Sequence, residues 1–156
     1  METIEEQKLS DSDASNIEHI NDVRRLLTVC IMEIHKRSTD HDASKLQSPE
    51  REVFGRYYSE LIQTEYGTPE YEALLSKVQP AIDHHYAHNR HHPQFHKNGV
   101  NDMDLIDILE MLIDWIASSG RTKNGNIRKS LEVNKDRYKI SDQLMTILEN
   151  TVKHYF

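Results

Sequence analysis

Five imidazoles fall between positions 84 and 92, within the string Asp-His-His-Tyr-Ala-His-Asn-Arg-His-His-Pro that runs from Asp83 to Pro93. A His-Asp dipeptide, His41-Asp42, precedes them, and Asp107, Glu110 and Asp114 follow. Imidazole nitrogen and carboxylate oxygen are the donors that borderline divalent cations take, so this collection points first to a metal site assembled from several segments. The plainer reading of the run alone is a set of solvated histidines at a helix-to-loop junction. On a helix, His84, His88 and His91 share one face and His85, His88 and His92 another; either set brings two imidazoles within reach of one ion. Asn89 and Arg90 sit among them, able to orient a ligand or hold an anionic oxygen, and Lys45 lies three residues beyond Asp42.

These donors need elements to carry them. Residues 102–119 have apolar side chains on a broad arc, with Asp107, Glu110 and Asp114 on one opposite stripe at i, i+3 and i+7. An amphipathic helix with a solvated acidic face explains that pattern. Yet the segment holds no lysine or arginine to relieve three like charges, and a bound cation would do so. Upstream, Ser15-Asn16-Ile17-Glu18 has the form of a capping box and predicts a helix start, after which His19, Val23, Leu26, Leu27, Cys30 and Ile34 define one inward face. His19 on that face is either a hydrogen-bonded core histidine or a ligand. Ser48-Pro49-Glu50 and Thr68-Pro69-Glu70 are further helix starts, the second after a turn at Gly67. Pro80 is expected to break or kink the helix that carries the histidines. Two shorter helices, at about 127–136 and 141–154, follow a loop at 121–126. Nothing alternates with a period of two. The fold class is all-α, a bundle of about six to seven helices over residues 15–156, preceded by a flexible acidic tail at 1–14.

Composition narrows the function. A chain of 156 residues suits one domain with a real core. A net charge of −7 argues against a generic nucleic-acid surface, though not against single nucleotides or self-association. The single cysteine, Cys30, excludes an intrachain disulfide and suits a reducing compartment, and no apolar run is long enough to span a membrane. A cytoplasmic location is expected. Tyr57, Tyr58, Tyr66 and Tyr71 are read as packing residues before base-stacking ones.

The order of the donors resembles the HD-domain phosphohydrolase superfamily: a histidine in the first helix, an adjacent His-Asp pair, intervening histidines and an aspartate in a late helix. The strings around His41-Asp42-Ala43-Ser44-Lys45-Leu46, His85 to Pro93 and Glu110 to Trp115 also resemble a bacterial and phage family called domain of unknown function 5662. The second resemblance carries over His41, Asp42, Ser44, Lys45, Glu50, His85, Asn89, His91, His92, Glu110 and Asp114. Together they imply an HD-like helical bundle holding one or two divalent ions (Mn, Fe, Co, Zn or Mg), in which the metal polarises a phosphoryl oxygen and activates the attacking water. By that analogy His19 (or His35), His41, Asp42 and Asp114 (or Asp107) hold the first ion. His85, His91 and His92 hold a second ion or the phosphate. Asp42, Lys45 and Glu110 take catalytic roles, and Lys45, Asn89 and Arg90 bind substrate. The implied reaction is hydrolysis of a small nucleotide or related phosphate ester. A metal-stabilised regulatory protein without catalysis is the alternative, and a metal-dependent nuclease the second.

Overall fold

The computed structural model describes residues 4–64, 68–121 and 125–156, without the side chains of residues 5–7 and 9. The expected turn at Gly67, Tyr66 and residues 122–124 of the expected loop at 121–126 lie outside the described residues. Among the described residues there are six α-helices: α1 (Ile4–Asp40), α2 (Glu50–Gln63), α3 (Pro69–His88), α4 (Leu105–Gly120), α5 (Ile127–Tyr138) and α6 (Asp142–Tyr155). Short 3-10 turns occupy Ala43–Leu46, Pro93–Phe95 and Gly99–Asp102, and no strand occurs among the described residues. The fold is all-α. No helix among the described residues is long and apolar enough to cross a membrane.

Two compact units divide the chain, Met1–Thr39 and Asp40–Phe156. The first is α1 alone. It runs unbroken through both the segment expected as a tail and the expected start at Ser15. Neither glycine nor proline occurs between positions 4 and 40, so nothing forces a stop and the capping-box residues are absorbed into the helix. The face expected to point inward is exposed at Val23, Leu26, Leu27 and Ile34. Periodicity identifies which side of a helix is apolar, not what covers it.

In the second unit, helix boundaries follow local chemistry. Thr68 caps α3 by accepting the Tyr71 N–H at 3.2 Å, with Pro69 as first helical residue. Asp104 and Asp107 form a reciprocal capping box that starts α4 at Leu105 instead of Asp102. Ser141 caps α6, and Lys139 closes α5 in the left-handed region at φ 53°. Ser48 does not cap α2: the helix starts at Glu50, and its Arg51 N–H is already taken by the Gln47 carbonyl at 2.8 Å. Pro80 lies inside α3 without ending it. The missing proline N–H costs α3 one backbone hydrogen bond, while burial of Leu74, Val78 and Ala81 on either side of it holds the helix in place.

The main core joins α4, α5 and α6 through Met111, Leu112, Trp115, Leu131, Ile140, Met145 and Leu148. Burying such side chains contributes about 1.5–3 kcal/mol each. α4 therefore has one face fixed in the core, and its acidic stripe meets the segments that follow α1 and α3.

Candidate metal centre

The site lies wholly within the second unit, and four separate pieces of chain supply it. His41 and Asp42 follow α1. Asp42 adopts the left-handed conformation, φ 55° and ψ 17°, which an L side chain rarely takes and which costs about 1–3 kcal/mol. It leads into the 3-10 turn at Ala43–Leu46, closed by the Lys45 N–H to the Asp42 carbonyl at 2.9 Å. The last turn of α3 supplies His85. Asn89 ends that helix, its N–H donating to the His85 carbonyl, and a tight turn closed by the His92 N–H to the Asn89 carbonyl presents His91 and His92. α4 supplies Glu110 and Asp114, one helical turn apart.

Asp42 stands at the centre with its two oxygens facing different partners. Oδ1 lies 3.3 Å from His85 Nε2 and 3.5 Å from His91 Nε2. His92 Nε2 completes this group at 2.8 Å from His85 Nε2. Oδ2 lies 3.5 Å from His41 Nε2, which is 3.8 Å from Asp114 Oδ1, and also takes the Lys45 ammonium. Within each group, one donor atom from every residue lies within 4.8 Å of the others, a spacing that one cation would span.

A second layer of carboxylates orients the rings. Glu50, at the start of α2 and 0% exposed, accepts from His85 Nδ1 at 2.9 Å and His84 Nδ1 at 2.8 Å. Glu110 Oε1 faces His41 Nδ1 at 2.8 Å and His91 Nδ1 at 3.2 Å. A carboxylate on Nδ1 keeps the proton there and leaves the Nε2 lone pair free to bind a metal. Three imidazoles (His41, His85 and His91) are held in that tautomer, and all three aim Nε2 at Asp42.

Two atoms test whether a cation fits between these groups. Asp42 Oδ1 and His91 Nε2 are buried without a hydrogen-bond partner. They face each other at 3.5 Å. Leaving buried polar atoms unpaired costs about 1–3 kcal/mol each, and a cation coordinated by both removes that cost. The donor set therefore suits a divalent ion.

Electrostatics agree with this picture. Burial pushes the His92 imidazole down to about 3, helped by neighbouring His91 and His85. Burial likewise lowers His85, while the bond to Glu110 raises His41. Burial opposes ionisation of Asp42, but the Lys45 hydrogen bond and charge outweigh it and hold the carboxyl below its usual range. The downward shifts of His92 and His85 favour the uncharged ring and that of Asp42 the ionised carboxylate, the states that ligation requires, whereas the rise at His41 works the other way.

The remaining expected residues are placed as follows. Asp107 does not join the cluster: it is buried and takes the Arg90 guanidinium through Nε at 3.1 Å and Nη2 at 2.9 Å. Arg90, expected to hold an anionic oxygen, is engaged instead by Asp107 and Asp104. Asn89 donates to Ser44 Oγ at 2.8 Å and to the His85 carbonyl at 2.7 Å, bracing the turn. His84 and His88 stack on each other at 3.9 Å. His19 and His35 are exposed residues of α1, in the first unit. The family resemblance carried Glu50 over without naming a role for it. Its position next to Ser48-Pro49 reads as helix-start charge, and only its complete burial marks it as a histidine partner.

An all-helical protein with a buried histidine–carboxylate cluster is the class that fold and site define. The chain matches the family of unknown function DUF5662 over residues 8–154 and belongs to that family. No curated protein and no solved structure matches it.

Proposed function

We propose that the protein is a metal-dependent hydrolase of small phosphate esters, nucleotides foremost. The observation that carries the metal part is the pair of buried, unpartnered atoms, Asp42 Oδ1 and His91 Nε2, aimed at each other. Asp42, His85, His91 and His92 would hold one divalent ion, and His41, Asp42 and Asp114 a second, with Asp42 serving both. Such ions supply Lewis acidity, withdrawing electron density from a phosphoryl oxygen and acidifying water. The chain does the rest. Glu50 and Glu110 fix ring orientation and tautomer. Lys45, half-exposed beside Asp42, neutralises phosphate charge at the mouth of the cluster. Glu110, touching two histidines, is also placed to accept a proton. The resemblance to HD phosphohydrolases supports the reaction class through the His41-Asp42 pair, the later histidines and Asp114, without the first-helix histidine of that pattern, and the substrate class rests on that likeness alone.

A second reading, a regulatory protein that uses metal for structure only, is favoured by one observation. Arg90 and Asn89, two of the three groups expected to bind substrate, are committed to partners within the protein. One experiment separates the two: nucleoside monophosphates and deoxynucleoside triphosphates are incubated with Mn²⁺, Co²⁺, Mg²⁺ or Zn²⁺, and phosphate release is followed. The hydrolase reading expects release with at least one metal, lost in Asp42→Ala and in chelator. Metal-loaded protein that releases nothing across the panel would overturn it and leave the structural reading.

A further inference from the structure

The apolar side of α1 is untouched by the metal reading. Ile20, Val23, Leu27, Cys30 and Ile34 recur at intervals of three and four, the spacing of alternate inner positions in a heptad repeat. Ile31 falls on the same arc, about 100° wide on a helical wheel. All six are exposed, Leu27 at 58% and Ile31 at 63%. An exposed apolar stripe of this length is unusual on a soluble monomer and marks an interaction surface.

We propose that this stripe joins two copies of the chain, helix on helix, as a two-stranded seam. Three observations favour a second copy over another partner. The first is the spacing itself: knobs repeating every 3.5 residues on average pack into holes of the same repeat, so the stripe complements itself. The second is charge. Between Glu18 and Asp40 there are four acids (Glu18, Asp22, Glu33, Asp40) and four bases (Arg24, Arg25, Lys36, Arg37), although the whole chain carries −7. Two copies of this segment therefore meet without net repulsion, and a strongly charged partner finds nothing to answer it. The polar groups flanking the stripe are also satisfied within the helix, Arg24 by Asn21 at 3.0 Å and Arg37 by Glu33 at 3.0 Å. The third is extent. The stripe from Ile20 to Ile34 runs about 22 Å, four helical turns, so two copies bring two full heptads of inner positions together.

Light scattering on the full-length protein at tens of micromolar tests the seam. The expected mass is twice the 18.3 kDa of one chain. Leu27→Glu, and independently Ile31→Lys, halve it, whereas Val29→Glu on the opposite side of α1 does not. Circular dichroism and metal content verify that each variant keeps the second unit intact, so loss of the dimer is separable from any failure of the metal centre. Maleimide labelling of Cys30 gives an independent readout, slowing several-fold as concentration rises through the dimerisation range. A single-chain mass at every concentration, or a dimer indifferent to both Leu27→Glu and Ile31→Lys, overturns the proposal. Concentration-independent protection of Cys30 in a monomer does so too, by assigning the cover to the chain's own second unit.

Discussion

Two carboxylates, the buried Asp107 and the partly buried Asp42, lie beside histidines in the same unit, and their surroundings differ in one respect. Asp107 accepts two hydrogen bonds from Arg90 and one from the Asp104 N–H at 3.1 Å, while His96 spends its Nε2 on the Arg90 carbonyl at 2.9 Å. Charge is met by charge, and the group is complete. Among the described residues Lys45 is the cation that meets Asp42, on one oxygen. Its other oxygen faces imidazole nitrogens that have no proton to offer, because Glu50 and Glu110 hold the protons of His85 and His91 on the far side of each ring. The same residue types thus make a finished ion pair in one place and an open set of lone pairs in the other. What separates a structural cluster from a ligand set is whether the protein supplies its own cation.

That contrast can be broken at several points. The largest effect is expected from His91→Ala, which removes the buried, unpartnered nitrogen: divalent-metal affinity, measured by calorimetry, should fall by more than the ~100-fold that loss of an orienting group causes. Glu50→Gln and Glu110→Gln should each lower that affinity about 10- to 100-fold while helicity is retained. Asp107→Ala should behave in the opposite way. It leaves the Arg90 charge without its main partner and should cost about 1–3 kcal/mol in urea denaturation, less than for a fully buried pair because Arg90 is half-exposed, with metal uptake unchanged.

A smaller effect concerns pH. His92 titrates near 3 in the fold against 6.5 in the unfolded chain, so between those values unfolding takes up a proton. Stability of the chelator-treated protein should therefore decline as pH falls from about 6.5 toward 3. His41, raised by Glu110, works against this: its contribution is full below 6.5 and fades as pH rises through its folded value. The urea midpoint measured at pH 7 and pH 5 checks the balance, and His92→Gln should flatten the decline.

Much of the architecture is legible in the residues because it is local. Thr68-Pro69 and Ser141 mark helix starts through contacts spanning three residues, and the apolar arc of α4 follows from its own period. Donor types are equally visible: His41, Asp42, His85, His91, His92, Glu110 and Asp114 stand out by chemistry before any coordinates. Partner choice is not visible. Asp107 and Asp114 sit on one stripe of α4, and only tertiary placement sends one to Arg90 and the other toward His41. Glu50 looks like an ordinary helix-start acid until α2 and α3 pack and bury it against two histidines. The apolar face of α1 carries the period of a core helix, and that period alone does not say what covers it.

The most direct measurement is metal stoichiometry by elemental analysis, after the protein and Asp42→Ala are dialysed to equilibrium against Mn²⁺, Co²⁺ or Zn²⁺. The account predicts one to two ions per chain for the unaltered protein with at least one of these metals, and near zero for Asp42→Ala at unchanged helicity. No uptake by the unaltered protein, or equal uptake by both, would contradict it.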